Sequence, residues 1–129
     1  MNPDLQTLSP EHAAHLAMLW NAACGSDLAI TERFAAYNAR AASGSTQAGQ
    51  VAFVDDEPAG FVQVSAAPSG ESISGWVDAL AVAPAWRRRG IGSQLLGWGE
   101  SWLAAQGCRQ ARLGGSLRPY VPGLPVSLA

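Results

Sequence analysis

Residues 80–96 read Leu-Ala-Val-Ala-Pro-Ala-Trp-Arg-Arg-Arg-Gly-Ile-Gly-Ser-Gln-Leu-Leu, and this stretch holds the residue types best suited to gripping an anion. An apolar strand-like run closes at Pro84, three arginines follow, and a helix-like pattern opens at Gly90 and Gly92. The first amides of a helix lack an internal acceptor and face outward at the positive end of its dipole. A strand-to-helix turn of this kind is a natural seat for phosphate. Gly90 and Gly92 put no Cβ between a phosphate and the backbone, and Arg87, Arg88 and Arg89 add charged donors. Plainer readings of the same residues are a solvated basic loop and a tight helix start. The spacing is not a dinucleotide fingerprint, because position 95 is Leu where a third glycine would stand, and no Gly-Lys-Ser/Thr follows as in a nucleotide-triphosphate loop.

The elements that must position this turn follow from pattern. Residues 4–8 read as a short strand. Ser9, Pro10 and Glu11 then open a helix as cap, first residue and first-turn acid. It runs to Ala23 or Cys24, with Leu16, Leu19 and Trp20 on its buried face and Gly25 as its stop. Thr31 caps a second helix bearing Phe34 and Tyr37, which fades in a small, polar loop over 41–46. Val51, Phe53 and residues 59–64 predict a hairpin turning at Asp55-Asp56-Glu57-Pro58, and residues 67–71 predict a loop. A strand over 73–82 contains Ala79-Leu80-Ala81-Val82, a continuous apolar run expected of a central strand covered on both faces. The helix over 90–106 carries Ile91, Leu95, Trp98 and Trp102 at helical spacing, with Leu96 and Leu103 alongside, and Gly107 ends it. A strand over 109–113 follows, then an irregular tail, 114–129, with prolines at 119, 122 and 125. The order β-α-α-β-β-β-α-β predicts an α+β, three-layer α/β/α domain with a mixed central sheet, one domain over 1–129.

The whole chain bounds the function. Its 129 residues make one domain, and an apolar share of 48% is enough for a real core and argues against disorder. Net charge is -2, which speaks against a general nucleic-acid binder. Three of the eight basic residues nonetheless sit together at 87–89, a local basic spot better matched to a small anionic ligand. Cys24 and Cys108 are too few and too far apart for a disulfide framework or a metal site. No run is apolar enough to span a membrane and the N-terminus has no signal-peptide pattern, so the expectation is a cytoplasmic protein with no bound metal. His12 and His15 read as surface residues of the first helix. Trp20, Trp98 and Trp102 fall on apolar helix faces and read as core.

Taken together, Val82-Ala83-Pro84 and the gapless Arg87-Arg88-Arg89-Gly90-Ile91-Gly92 resemble motif A of the GNAT N-acetyltransferase superfamily, whose signature is Gln/Arg-x-x-Gly-x-Gly/Ala after a strand ending in Val-x-Pro. The resemblance is strong over 73–106 and looser over 4–113. It implies that the cofactor is acetyl-coenzyme A and that its pyrophosphate sits on the amides of Arg88, Arg89, Gly90, Ile91, Gly92 and Ser93, with Arg87 lining the same turn. It implies that the pantetheine arm pairs with Val82, and that the Leu80 amide stabilises the oxyanion when an amine attacks the thioester. Asp78, the one acid on that strand, is then the candidate base, with Glu71 a weaker one. Tyr120 is the candidate acid, because a tyrosine after the fifth strand often fills that role in the family.

The family usually continues past the fifth strand with a helix and two more strands, which this sequence is too short to supply. The expectation is therefore the front part of a two-domain member, or a sheet completed by a second copy in a homodimer. Three functions follow: acetyl transfer to a primary amine of a small molecule or peptide; a coenzyme A-binding module without an acceptor site; and polyanion binding, which the acidic balance disfavours.

Overall fold

A computed structural model describes residues 3–24, 30–39 and 44–113. Chain order is β1 (Asp4–Thr7), a 3-10 turn (Pro10–His12), α1 (Ala13–Cys24), α2 (Glu32–Asn38), β2 (Thr46–Val54), β3 (Glu57–Ser69), β4 (Ser72–Val82), a 3-10 turn (Pro84–Trp86), α3 (Ile91–Ala105) and β5 (Ala111–Leu113). The five strands form one sheet in the order β1-β2-β3-β4-β5. The first three pairings are antiparallel and β4-β5 is parallel. A parallel neighbour needs a crossover, and α3 is that crossover.

The sheet is covered on both faces, so the fold is the predicted three-layer α+β arrangement with a mixed sheet. On one face Leu16, Leu19 and Trp20 of α1 pack on Val51, Phe61, Ala79 and Ala81. On the other, Ile91, Leu95 and Leu103 of α3 pack on Ala52, Val62, Val64 and Val77. Alternation along β3 and β4 feeds both cores, since successive side chains point to opposite faces. Each large side chain buried this way contributes about 1.5–3 kcal/mol.

Several boundaries differ from the sequence reading, each for a physical reason. The buried line of α3 is Ile91, Leu95, Gly99 and Leu103, while Trp98 and Trp102 are half-buried at its border. A Cβ on Gly99 would stand 3.1 Å from Val64 Cγ1, so the missing side chain is what lets the helix lie close to the sheet. The expected loop over 67–71 is mostly strand: β3 continues to Ser69 and only Gly70 and Glu71 turn. Pro68 is tolerated because β2 ends opposite Ala66, leaving that end of β3 with no described strand on one side. The hairpin over 55–58 is tighter than predicted. Asp55 and Asp56 both take positive φ, 51° and 64°, the two-residue mirror turn that suits strand twist. Pairing also extends β2 back to Thr46 and delays β5 to Ala111.

Candidate active site

Three features meet where β4 ends and α3 begins. The first is a helix start that its own chain leaves open. Gly90 is the N-cap residue, at φ 82°, with no side chain to cap the helix. The Gln94 amide donates to the Gly90 carbonyl at 3.0 Å, and the amides of Arg88 to Ser93 have no backbone acceptor among the described residues. Arg88 stands at φ 63°, a region that L residues other than glycine enter at a cost of about 1–2 kcal/mol. Strain of this kind clusters at functional turns, and a row of outward amides makes an anion-binding concavity. Arg88, Arg89, Gly90 and Ser93 are exposed. The Arg89 guanidinium lies 5.3 Å from the centre of the Trp86 ring, a cation–π contact that holds it on the turn.

The second feature is the outer edge of β4. Ala83 donates its amide to the Ala59 carbonyl at 2.8 Å, and backbone groups in an antiparallel pair alternate direction. Ala81 and Ala79 therefore face β3, while the amides and carbonyls of Leu80 and Val82 face away from it. Parallel pairing with β5 covers only Gly75, Trp76 and Val77. No described strand lies beside Leu80 or Val82 on their outward side.

The third feature is a break in register. Gln63 of β3 pairs with Ala79 and Val64 with Val77, so Asp78 is an extra residue on β4, a bulge. Asp78 is 1% exposed, and its carboxyl accepts a hydrogen bond from Ser65 Oγ at 3.1 Å. Ser65 shares its face with Phe61 and Gln63, so the carboxyl lies on the α1/α2 side of the sheet. Gln63 there donates to the Asn38 carbonyl at the end of α2, and Gln47 donates to the same oxygen at 2.7 Å. Ser65, Gln63 and Asn38 were missed from sequence. The signal available was the alternation Phe61-Val62-Gln63-Val64-Ser65, which sets polar residues at every second place of a buried strand.

The structure thus brings together Leu80, Val82 and Arg87 to Ser93, and sets Asp78 two residues from Leu80. Glu71 lies at the far end of β4, in the turn after β3. Tyr120 lies outside the described residues. Arg87 reaches in another direction from its neighbours: its Nε donates to the Val82 carbonyl at 3.3 Å and its guanidinium also to the Ala23 carbonyl of α1 at 3.2 Å. Burial pushes the Cys24 thiol above the usual thiol range, and the nearby Arg87 charge partly offsets that rise. Burial raises Cys108 likewise. His12 accepts from the Ser9 amide at 3.2 Å and, with His15, packs on Phe53. Among the described residues no group of His, Cys, Asp or Glu has the makings of a metal site, and no helix is long and apolar enough to cross a membrane.

A profile of the acetyltransferase (GNAT) family matches residues 13–116. The chain belongs to this family. That membership sets it among the acetyltransferases, and solved structures agree on the fold. The GCN5-related glucosamine N-acetyltransferase region of a fungal multi-domain GH3 β-N-acetylglucosaminidase is similar at TM-score 0.85 and 20% identity, over 99% of this chain and 15% of that one. This GNAT chain therefore spans only a small part of that protein's length. A ribosomal-protein-alanine N-acetyltransferase from Brucella melitensis is similar at TM-score 0.67 and 19% identity, over 87% of this chain and 79% of that one. An aminoglycoside N-acetyltransferase in complex with coenzyme A is similar at 0.68 and 19%, over 90% and 78%. No curated protein matches the sequence.

Proposed function

We propose that this GNAT chain transfers an acetyl group from acetyl-coenzyme A to a primary amine. The observation that carries the reading is the run of amides from Arg88 to Ser93 with no backbone acceptor among the described residues. It stands next to a strand edge whose Leu80 and Val82 groups face away from β3. In this reading the diphosphate rests on the turn, backed by Arg88 and Arg89, and the pantetheine arm lies along the β4 edge at Val82. The Leu80 amide donates to the carbonyl oxygen as it gains charge, and Asp78 takes the proton that the amine sheds. Much of the rate then comes from holding amine and thioester together. Solved relatives of this fold carry names that include glucosamine, aminoglycoside and ribosomal-protein alanine acetyltransferases, which supports an amine acceptor without choosing among them.

Burial of Asp78 favours a second reading, a domain that holds coenzyme A and turns nothing over. The test has two steps. Melting temperature is followed against acetyl-coenzyme A, and a rise of several degrees is expected from linkage. Thiol release is then measured with a panel of amines: amino sugars, polyamines, amino acids and peptides. A flat melting curve that instead responds to an oligonucleotide removes the acetyl-coenzyme A reading. A rise without release on any amine selects the binding module.

A further inference from the structure

Arg87 occupies the position the family signature gives to the phosphate turn, but its side chain does something else. Nε donates to the Val82 carbonyl, at the outward edge of β4, and the other end of the guanidinium donates to Ala23, in the last turn of α1. One side chain thus bridges two elements that are 59 residues apart, from Ala23 to Val82, and lie on different parts of the site. The last turn of a helix presents carbonyls without intrahelical donors, at the negative end of the dipole. An arginine suits that place because its planar fork serves two acceptors at once. The oxygen it takes on β4 is also the one that, in the acetyl-coenzyme A reading, the pantetheine arm needs. The residue after Ala23 is Cys24, whose thiol feels the Arg87 charge.

We propose that Arg87 is a positioning residue that couples occupancy of the β4 edge to the C-terminal end of α1. A ligand amide that pairs with Val82 competes with Nε for the same carbonyl and frees the guanidinium to turn toward the diphosphate. The Ala23 carbonyl then loses its donor, and the last turn of α1 loses its tie to the β4 edge. Coupling of this kind needs differential contacts in two states, and the two hydrogen bonds of Arg87 supply them. The inference rests on the acetyl-coenzyme A reading.

Cys24 is a reporter already in place, and Cys108, far along the chain at the end of α3, is the internal control. Both thiols are alkylated with iodoacetamide at pH 8 and quantified by peptide mass spectrometry, with and without desulfo-coenzyme A, which carries no thiol of its own. Melting temperature is followed in parallel, and each variant is read at the plateau of its own curve. In the unsubstituted protein the ligand is expected to change the Cys24 rate about two- to fivefold, the net of a lost nearby cation and a loosened last turn, and to leave Cys108 unchanged. Arg87→Gln is expected to change Cys24 in the same direction by itself and to abolish the ligand's further effect. Arg87→Lys keeps the charge without the fork, so Cys24 should start near the normal rate and respond weakly. Simple shielding of Cys24 by the ligand would persist in Arg87→Gln and would overturn the proposal. So would a melting rise with no change at Cys24 in the unsubstituted protein. A melting temperature that ignores the ligand in every variant strikes the acetyl-coenzyme A reading itself, and the coupling with it.

Discussion

The starts of α2 and α3 solve the same problem in opposite ways. At α2, Thr31 caps the helix and its Oγ1 accepts from the Phe34 amide at 3.0 Å. That start is chemically closed. At α3, Gly90 offers no side chain, Arg88 adds strain, and the six amides of Arg88 to Ser93 have no backbone acceptor among the described residues. Capping a helix normally stabilises it by about 1 kcal/mol, so a start that forgoes its cap and adds strain gives up stability. The difference sets a start at 31–34 that its own residue caps against one at 87–93 that no described side chain caps, the place the proposed cofactor would take.

The sharpest way to break this contrast is charge reversal. Arg88→Glu with Arg89→Glu should abolish the melting rise with acetyl-coenzyme A, weakening binding by about a hundredfold or more, because charged phosphate contacts are worth roughly 1.5–3 kcal/mol each. An unchanged rise would put the anion site elsewhere. Next in size is Asp78→Asn, a swap of near-equal volume. Thiol release with a responsive amine should fall about a hundredfold, within the usual range for a proton-transfer group, while acetyl-coenzyme A titrations stay as before. Gly90→Ala forces a Cβ into a left-handed position, at φ 82°. It should cost about 1 kcal/mol, seen as a melting point lower by a few degrees. Gly92→Ala meets only an ordinary contact, 3.4 Å from Val82 Cγ2, so the free protein should melt unchanged while acetyl-coenzyme A binds more weakly. Thr31→Ala is the counterpart at the closed start: about 1 kcal/mol off the stability with acetyl-coenzyme A affinity untouched. A loss of affinity there would erase the distinction between the two starts.

The smallest effect concerns the thiols. Burial raises both Cys24 and Cys108, so the unfolded chain gives up these protons before the folded one. Bound protons are then fewer in the unfolded state, and stability must fall as pH climbs past the ordinary thiol value toward the folded ones. Below that range the thiols contribute no slope. Chemical denaturation at pH 7 and pH 10, repeated after replacing both cysteines with Ala, isolates this component.

Much of the fold was written in local pattern. Cap residues, apolar spacing and the Val-x-Pro to Gly-x-Gly turn located α1, α2, β4 and α3, because each depends on neighbours a few positions away. What the sequence left unreadable depends on partners. Asp78 reads as one more residue of a regular strand until the pairing of Gln63 and Val64 shows it to be extra. The Ser65–Asp78 contact needs that same hairpin register. Residues 67–69 look like loop because Pro68 and small polar residues suggest it; only the end of β2 at Thr46 explains why a strand can hold them. The reach of Arg87 to Ala23 spans 64 positions and has no local signature at all. Apolar spacing points to Trp98 and Trp102 instead of the true packed line because Gly99 gives no apolar signal yet sits among the buried residues of that face.

The alternating direction of the β4 backbone has a further consequence for isotope exchange. Solvent deuterium should enter this strand with a period of two. The amides of Ala79 and Ala81, tied to β3, should hold their protons for long times, while those of Leu80 and Val82 trade quickly with water. Adding acetyl-coenzyme A should flatten that comb from one side only, turning the fast teeth slow and leaving the slow ones as they were.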